Sequence, residues 1–197
     1  MSVGKSLPHD SAPLHVTGVA RYIDDIPVTA DCLHLAFGLS SVAHGDITAM
    51  DLDAVRAADG VVAVLMADDL PGDCDVSPAA HDEPLLADGT VHYVGQPVFI
   101  VVATSHLAAR KAAKLGQIEY AEKPAILTIE DALFADSRFE GGPVVWTKGD
   151  VEGALKNAPH SLRGNITMGG QEHFYLEGQA ALVIPQEGGD MLVHSST

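Results

Sequence analysis

One segment combines residue types that could do chemistry at close quarters: Gly169-Gly170-Gln171-Glu172-His173-Phe174-Tyr175-Leu176-Glu177. Paired glycines let the backbone turn sharply and come close to a ligand. A glutamine directly after them offers a neutral amide donor that does not titrate. Such a group can address an oxo or oxyanion ligand without changing the charge of the site. The residues alone leave a plainer alternative open, a Gly-Gly hairpin turn followed by an aromatic strand. Other templates are missing from the sequence. It holds no GxGxxG, no GxxxxGK followed by Ser or Thr, no GxSxG and no HExxH. The histidines are scattered without HxH or HxxxH spacing, and none is assigned to a metal. Cys32 and Cys74 are far apart and form neither a zinc half-site nor an iron–sulfur signature. Two reduced, buried thiols are expected in preference to a disulfide.

The elements that must position this segment follow from periodicity. Before it, Leu162, Gly164, Ile166 and Met168 alternate with Arg163, Asn165 and Thr167, which predicts a strand. After it, Ala180–Ile184 and Met191–His194 read as a hairpin around residues 186–190. Asp150 is placed to cap a short helix that ends before Pro159, and Thr128 with Asp131 a helix through Phe134. Residues 135–150, with Gly141, Gly142, Pro143 and Gly149, read as a loop and mark a domain boundary.

Upstream, strand and helix signals interleave from about residue 30 to 125, consistent with a mixed α/β domain. Leu33, Leu35, Phe37 and Leu39 alternate as in a half-buried strand, and a second strand is expected at 47–52. A short helix capped by Asp51 or Asp53 should stop at Gly60, followed by a buried strand at 61–66. Residues 67–90 form a long acidic loop. Its Asp73, Cys74, Asp75, His81, Asp82 and Glu83 resemble metal-ligand types, but irregular spacing and three prolines favour a solvated or partner-facing loop. Gly95-Gln96-Pro97 reads as a hairpin or tight bend between 91–93 and 98–103. Ser105 should cap a helix running to Leu115, and a short strand follows at 118–120. Residues 1–30, punctuated by Pro8, Pro13, Gly18 and Pro27, read as a loop-rich arm.

Bulk properties exclude some functions. With 27 acidic against 11 basic residues in 197, the formal net charge is −16. Such a surface repels phosphate backbones, so neither nucleic acid nor an anionic membrane is expected as a partner. An apolar share of 47% permits a packed core. The longest apolar runs are strand-sized, far short of the ~20 residues that cross a bilayer. The opening residues carry no apolar signal core, so a cytoplasmic location is expected.

The motif at 169–177 resembles the glutamine-bearing motif of the xanthine dehydrogenase and aldehyde oxidase family. Three further segments resemble that family in the same order: LPHDSAPLHVTGVARYIDDIP at 7–27, YVGQPVFIVVAT at 93–104 and IEYAEKPAILTIEDAL at 118–133. The resemblance implies an α/β (α+β) fold: a 1–14 arm, an α/β hammerhead domain at 15–125, a linker at 126–149 and the start of a molybdopterin-binding domain at 150–197. It implies that Gln171 hydrogen-bonds the oxo ligand of a molybdenum–molybdopterin cofactor, a contact outside the metal's own ligand set. The implied activity of the intact enzyme is hydroxylation of hypoxanthine and xanthine to urate with oxygen from water. Electrons would pass through [2Fe-2S] clusters and FAD, carried on a partner subunit of a hetero-oligomer, to NAD. Aldehyde or N-heterocycle oxidation is the alternative activity, and a non-catalytic docking module the alternative role for the chain alone. The family's substrate-binding and base residues fall beyond residue 197. The last domain is therefore expected to be truncated, and the chain by itself inactive, with no catalytic residue of its own.

Overall fold

The computed structural model describes residues 3–78, 81–138 and 142–196. Contacts divide the chain into two compact units, Asp31–Asn157 and a second made of Met1–Ala30 with Ala158–Thr197.

The larger unit holds two three-stranded antiparallel sheets. The first is ordered β1-β5-β3, with β1 His34–Leu39, β3 Val61–Leu65 and β5 Pro97–Ala103. The second is ordered β4-β2-β6, with β2 Gly45–Asp51, β4 Thr90–Val91 and β6 Gln117–Glu122. Strand β5 is central and nearly all apolar, PVFIVVA, as a strand covered on both sides must be. Two helices, α2 (Asp53–Arg56) and α3 (His106–Ala113), pack on the first sheet. Ser105 caps α3, its hydroxyl accepting the Ala108 N–H at 3.2 Å. Asp51 accepts the Asp53 N–H at 3.0 Å ahead of α2. The core joins Leu52, Val55, Ala87, Val91, Val98, Phe99, Val101 and Ala112.

Strand β1 lies where the alternation places it, but turned over. Leu35, Phe37 and Leu39 are 58%, 47% and 52% exposed, while Gly38 is buried. The reason is steric. The Phe99 ring, 1% exposed, occupies the space over Gly38 and Gly116, and an added Cβ at Gly38 would overlap it. A Cβ on Gly116 would lie 2.6 Å from the same ring. Small residues of β1 therefore face the core, and its large ones face outward.

The bend at Gly95-Gln96-Pro97 is not a β-hairpin, because β4 and β5 belong to different sheets. It is a sheet-to-sheet crossing pinned by buried polar groups. Gly95 has φ 88°, the Ser40 hydroxyl donates to the Tyr93 carbonyl at 2.6 Å, and Gln96 Oε1 accepts the His92 N–H at 2.7 Å. In the second sheet Asp46 receives the Thr90 hydroxyl at 2.9 Å and the Lys123 ammonium at 2.5 Å. These two partners hold its carboxyl below the usual carboxylate range.

The 67–90 loop contains a 3-10 turn at Ala67–Asp69 and an isolated bridge between Asp75 and Pro84. Within it, His81 Nδ1 meets Asp75 Oδ2 at 3.2 Å. Cys74 is half-buried, its sulfur both donating to the Leu86 carbonyl and accepting the Leu86 N–H at 3.5 Å. Cys32 is likewise half-buried, and both thiols are free. Helix α4 (Ile129–Phe134) starts at Thr128, whose hydroxyl accepts the Asp131 N–H at 3.0 Å. Helix α5 (Val151–Asn157) starts at Asp150, whose carboxylate accepts the Gly153 N–H at 2.9 Å.

The smaller unit brings together chain segments far apart in sequence. The arm is more ordered than its composition predicts. Pro13 opens α1 (Ala12–Thr17), Gly18 ends it at φ 75°, and a 3-10 turn follows at Ile23–Asp25. The hairpin is present as β7 (Ala181–Pro185) and β8 (Met191–Ser195), with Gly188 and Gly189 at φ 73° and 89° in its loop. The strand predicted at 162–168 does not form. Leu162, Ile166 and Met168 are 101%, 86% and 83% exposed, and no strand pairs with them among the described residues.

Candidate functional site

Gln171 sits in residues 158–175, which have no helix or strand. The plainer alternative, a Gly-Gly hairpin turn, does not form: no turn occurs at Gly169-Gly170, and neither takes a positive φ. Phe174, a non-glycine residue, takes φ 53°. Left-handed backbone is uncommon for a bulky side chain, and such positions gather at functional sites. A Cβ added at Gly169 or Gly170 would meet nothing within 4 Å. Here the glycines leave bare backbone open to an approaching group rather than making a turn. The Gln171 amide forms no hydrogen bond among the described residues, whereas Glu172 is engaged locally, accepting the His173 N–H at 3.1 Å.

After the exposed stretch, Glu177 is half-buried, and its Oε1 accepts the Ile23 N–H at 2.6 Å across 154 residues. A carboxylate accepting a backbone N–H at that distance is a charge-assisted bond, stronger than a neutral one. It borders a cleft of about 630 Å³ lined also by Arg21, Tyr22, His194 and Ser195. Downstream, the Ser196 hydroxyl accepts the Ala180 N–H at 3.0 Å and ties the start of the hairpin to its end.

Among the described residues no three His, Cys, Asp or Glu side chains are grouped to hold a metal ion. What the segment offers, among the described residues, is an unbonded neutral donor on open backbone.

Residues 17–124 match the profile of the aldehyde oxidase and xanthine dehydrogenase a/b hammerhead domain, and residues 136–197 that of the molybdopterin cofactor-binding domain. The chain belongs to the xanthine dehydrogenase and aldehyde oxidase family. Within that family it is 42% identical over 190 residues to xanthine dehydrogenase 1 of Arabidopsis thaliana, covering 95% of this chain and 14% of that protein. It is 40% identical to a xanthine dehydrogenase of Blastobotrys adeninivorans, over 99% of this chain and again 14% of the relative. Among solved structures, the quinoline 2-oxidoreductase of Pseudomonas putida 86 superposes with TM-score 0.83 at 28% identity, over 100% of this chain and 27% of that one. The aldehyde oxidoreductase of Desulfovibrio gigas gives TM-score 0.81 at 26% identity, over 96% and 23%. The chain thus spans about a seventh of the curated relatives and about a quarter of the solved chains.

The family fold is therefore mixed α/β, a hammerhead followed by the start of the cofactor-binding domain. Gln171 falls inside the part that matches the cofactor-binding domain. The bond between Glu177 and Ile23 had no sequence signal of its own, because nothing in spacing or periodicity links residues so far apart.

No helix among the described residues is long and apolar enough to cross a membrane.

Proposed function

We propose that this chain forms part of the molybdenum-cofactor polypeptide of a xanthine dehydrogenase, in which Gln171 donates its side-chain amide to an oxo ligand of the cofactor. The carrying observation is the unbonded Gln171 amide on open glycine backbone within the residues that match the cofactor-binding domain. When bound, the cofactor supplies the redox capacity to hydroxylate a purine carbon with oxygen from water. The chain's own share is to hold the donor still, stabilise charge that builds on the oxygen, and keep the site's net charge unchanged.

In the intact enzyme hypoxanthine and xanthine are the substrates and urate the product. Electrons leave through [2Fe-2S] clusters and FAD on a partner subunit to NAD, in a cytoplasmic hetero-oligomer. The domain limits at 14/15, 125/126 and 149/150 belong to the same proposal. Purines are favoured over aldehydes or quinolines because identity to the xanthine dehydrogenases is 38–42%, against 26–28% to the aldehyde and quinoline enzymes.

The test is Gln171→Ala and Gln171→Glu in the intact enzyme, assayed with xanthine, an aldehyde and quinoline, alongside molybdenum content. Losing one preorganised donor typically costs about a hundredfold in rate, about 3 kcal/mol. Gln171→Glu replaces the donor with a charged acceptor and should be at least as damaging. Unchanged turnover with full molybdenum in both variants would remove Gln171 from the site. Faster turnover of an aldehyde or quinoline than of xanthine would move the enzyme to another branch of the family. An intact wild-type protein without molybdenum would leave the docking-module reading in its place.

A further inference from the structure

Residues 158–176 are exposed without exception, and no backbone–backbone hydrogen bond involves residues 158–179 among the described residues. Among the described residues, neither a ladder nor apolar packing orders the stretch that carries Gln171. The first residue after it that is not exposed is Glu177, six positions past Gln171. Its carboxylate reaches the other segment of the same unit and accepts the Ile23 N–H at 2.6 Å.

The receiving surface is ordered by its own bonds. The Asp25 N–H donates to the Tyr22 carbonyl at 3.0 Å, and the Asp25 carboxylate accepts the Tyr22 N–H at 3.0 Å. The Tyr22 hydroxyl lies 3.1 Å from His15 Nδ1, which ties the turn back to α1. The first N–H groups of a helical turn have no partner within the turn. The Ile23 N–H is such a group, and Glu177 satisfies it. The stretch thus leads directly into a fixed point, and six residues of chain reach at most about 20 Å from it.

We propose that Glu177 is the positioning residue for Gln171: by clamping the end of the glycine–glutamine segment to the Ile23 turn, it fixes where the Gln171 amide can be presented. The proposal rests on the role of Gln171 argued above. Glu177 itself touches no substrate in this scheme and acts through the backbone it anchors.

The experiment uses the intact enzyme carrying Glu177→Ala, Glu177→Gln or Gln171→Ala. Each is measured for kcat, KM for xanthine, molybdenum content, and hydrogen exchange at the Ile23 amide. The wild type should protect the Ile23 amide, and Glu177→Ala should lose that protection. Its kcat should fall about tenfold, the ordering that one charge-assisted bond maintains, with KM within twofold of wild type. Glu177→Gln keeps a neutral acceptor of the same reach and should recover most of both losses. If Glu177→Ala folds poorly, Glu177→Gln against wild type carries the comparison, with a smaller loss of protection and rate in parallel.

Three results would overturn the proposal. One is an unprotected Ile23 amide in wild type. Another is lost protection in Glu177→Ala with kcat and molybdenum unchanged while Gln171→Ala is impaired; that outcome spares the role of Gln171. The third is impaired Glu177→Ala beside a fully active Gln171→Ala, which shows that Glu177 acts on something else and the role of Gln171 fails on its own variant.

Discussion

The ring of Phe99 is the object around which the first sheet is arranged, and Gly38→Ala tests that directly. The substituted Cβ overlaps the ring edge, and Phe99, on the central strand β5, is 1% exposed, so it has little room to retreat. Adding a methyl group to a packed core costs about 1–3 kcal/mol. Replacing a strand glycine with alanine returns about 0.5–1 kcal/mol through the unfolded chain. The net expectation is a loss of about 1–2 kcal/mol, read from urea unfolding of the chain at constant m-value. Phe99→Leu alone should also destabilise, because it leaves space where the ring was. The double variant is the decisive one. With the ring gone, the alanine methyl has somewhere to go, so the two losses should fall short of their sum by about 1 kcal/mol or more. Wild-type stability in Gly38→Ala, or strict additivity in the pair, would refute the claim that Phe99 dictates which face of β1 is buried.

Other outcomes follow from single contacts. Leu35→Thr should change stability by less than about 0.5 kcal/mol, because Leu35 points outward in this chain despite its place in an apolar alternation; a loss near 2 kcal/mol in thermal or urea unfolding would show that it is packed. Ser105→Ala should cost about 1 kcal/mol and Ser105→Gly only a few tenths, because the alanine removes the acceptor for the Ala108 N–H in a residue that caps helices poorly; equal losses would point away from capping. Asp46 has a depressed folded-state pKa, so its contribution is present above the unfolded carboxylate value near 3.9 and is lost as pH falls below it. Removing the main cause, in Lys123→Met, should therefore flatten the part of the acid-side stability loss below about pH 4, and an unchanged profile would show that the pair is screened out.

The local elements were legible because they are decided locally. Ser105, Thr128 and Asp150 each satisfy N–H groups of their own helix, so the caps of α3, α4 and α5 are found where side-chain chemistry and spacing put them. The loop of the last hairpin needs left-handed backbone, and Gly188 and Gly189 stand where it occurs. The segment around Gln171 carries the resemblance to the family, and it lies within the residues that match the cofactor-binding domain.

Tertiary structure decided the rest, for reasons no local pattern contains. A period of two says that one face of β1 differs from the other but not which one meets a partner; the bulk of Phe99 over Gly38 made that choice. An alternating run at 162–168 becomes a strand when another strand pairs with its backbone, and none does so among the described residues. Gly95-Gln96-Pro97 fixes a bend, but whether a bend closes a hairpin or carries the chain to another sheet depends on the partners of β4 and β5. The bond from Glu177 to Ile23 spans 154 residues, and a hydrogen bond needs two groups within about 3 Å in space, a condition that only the folded chain can meet.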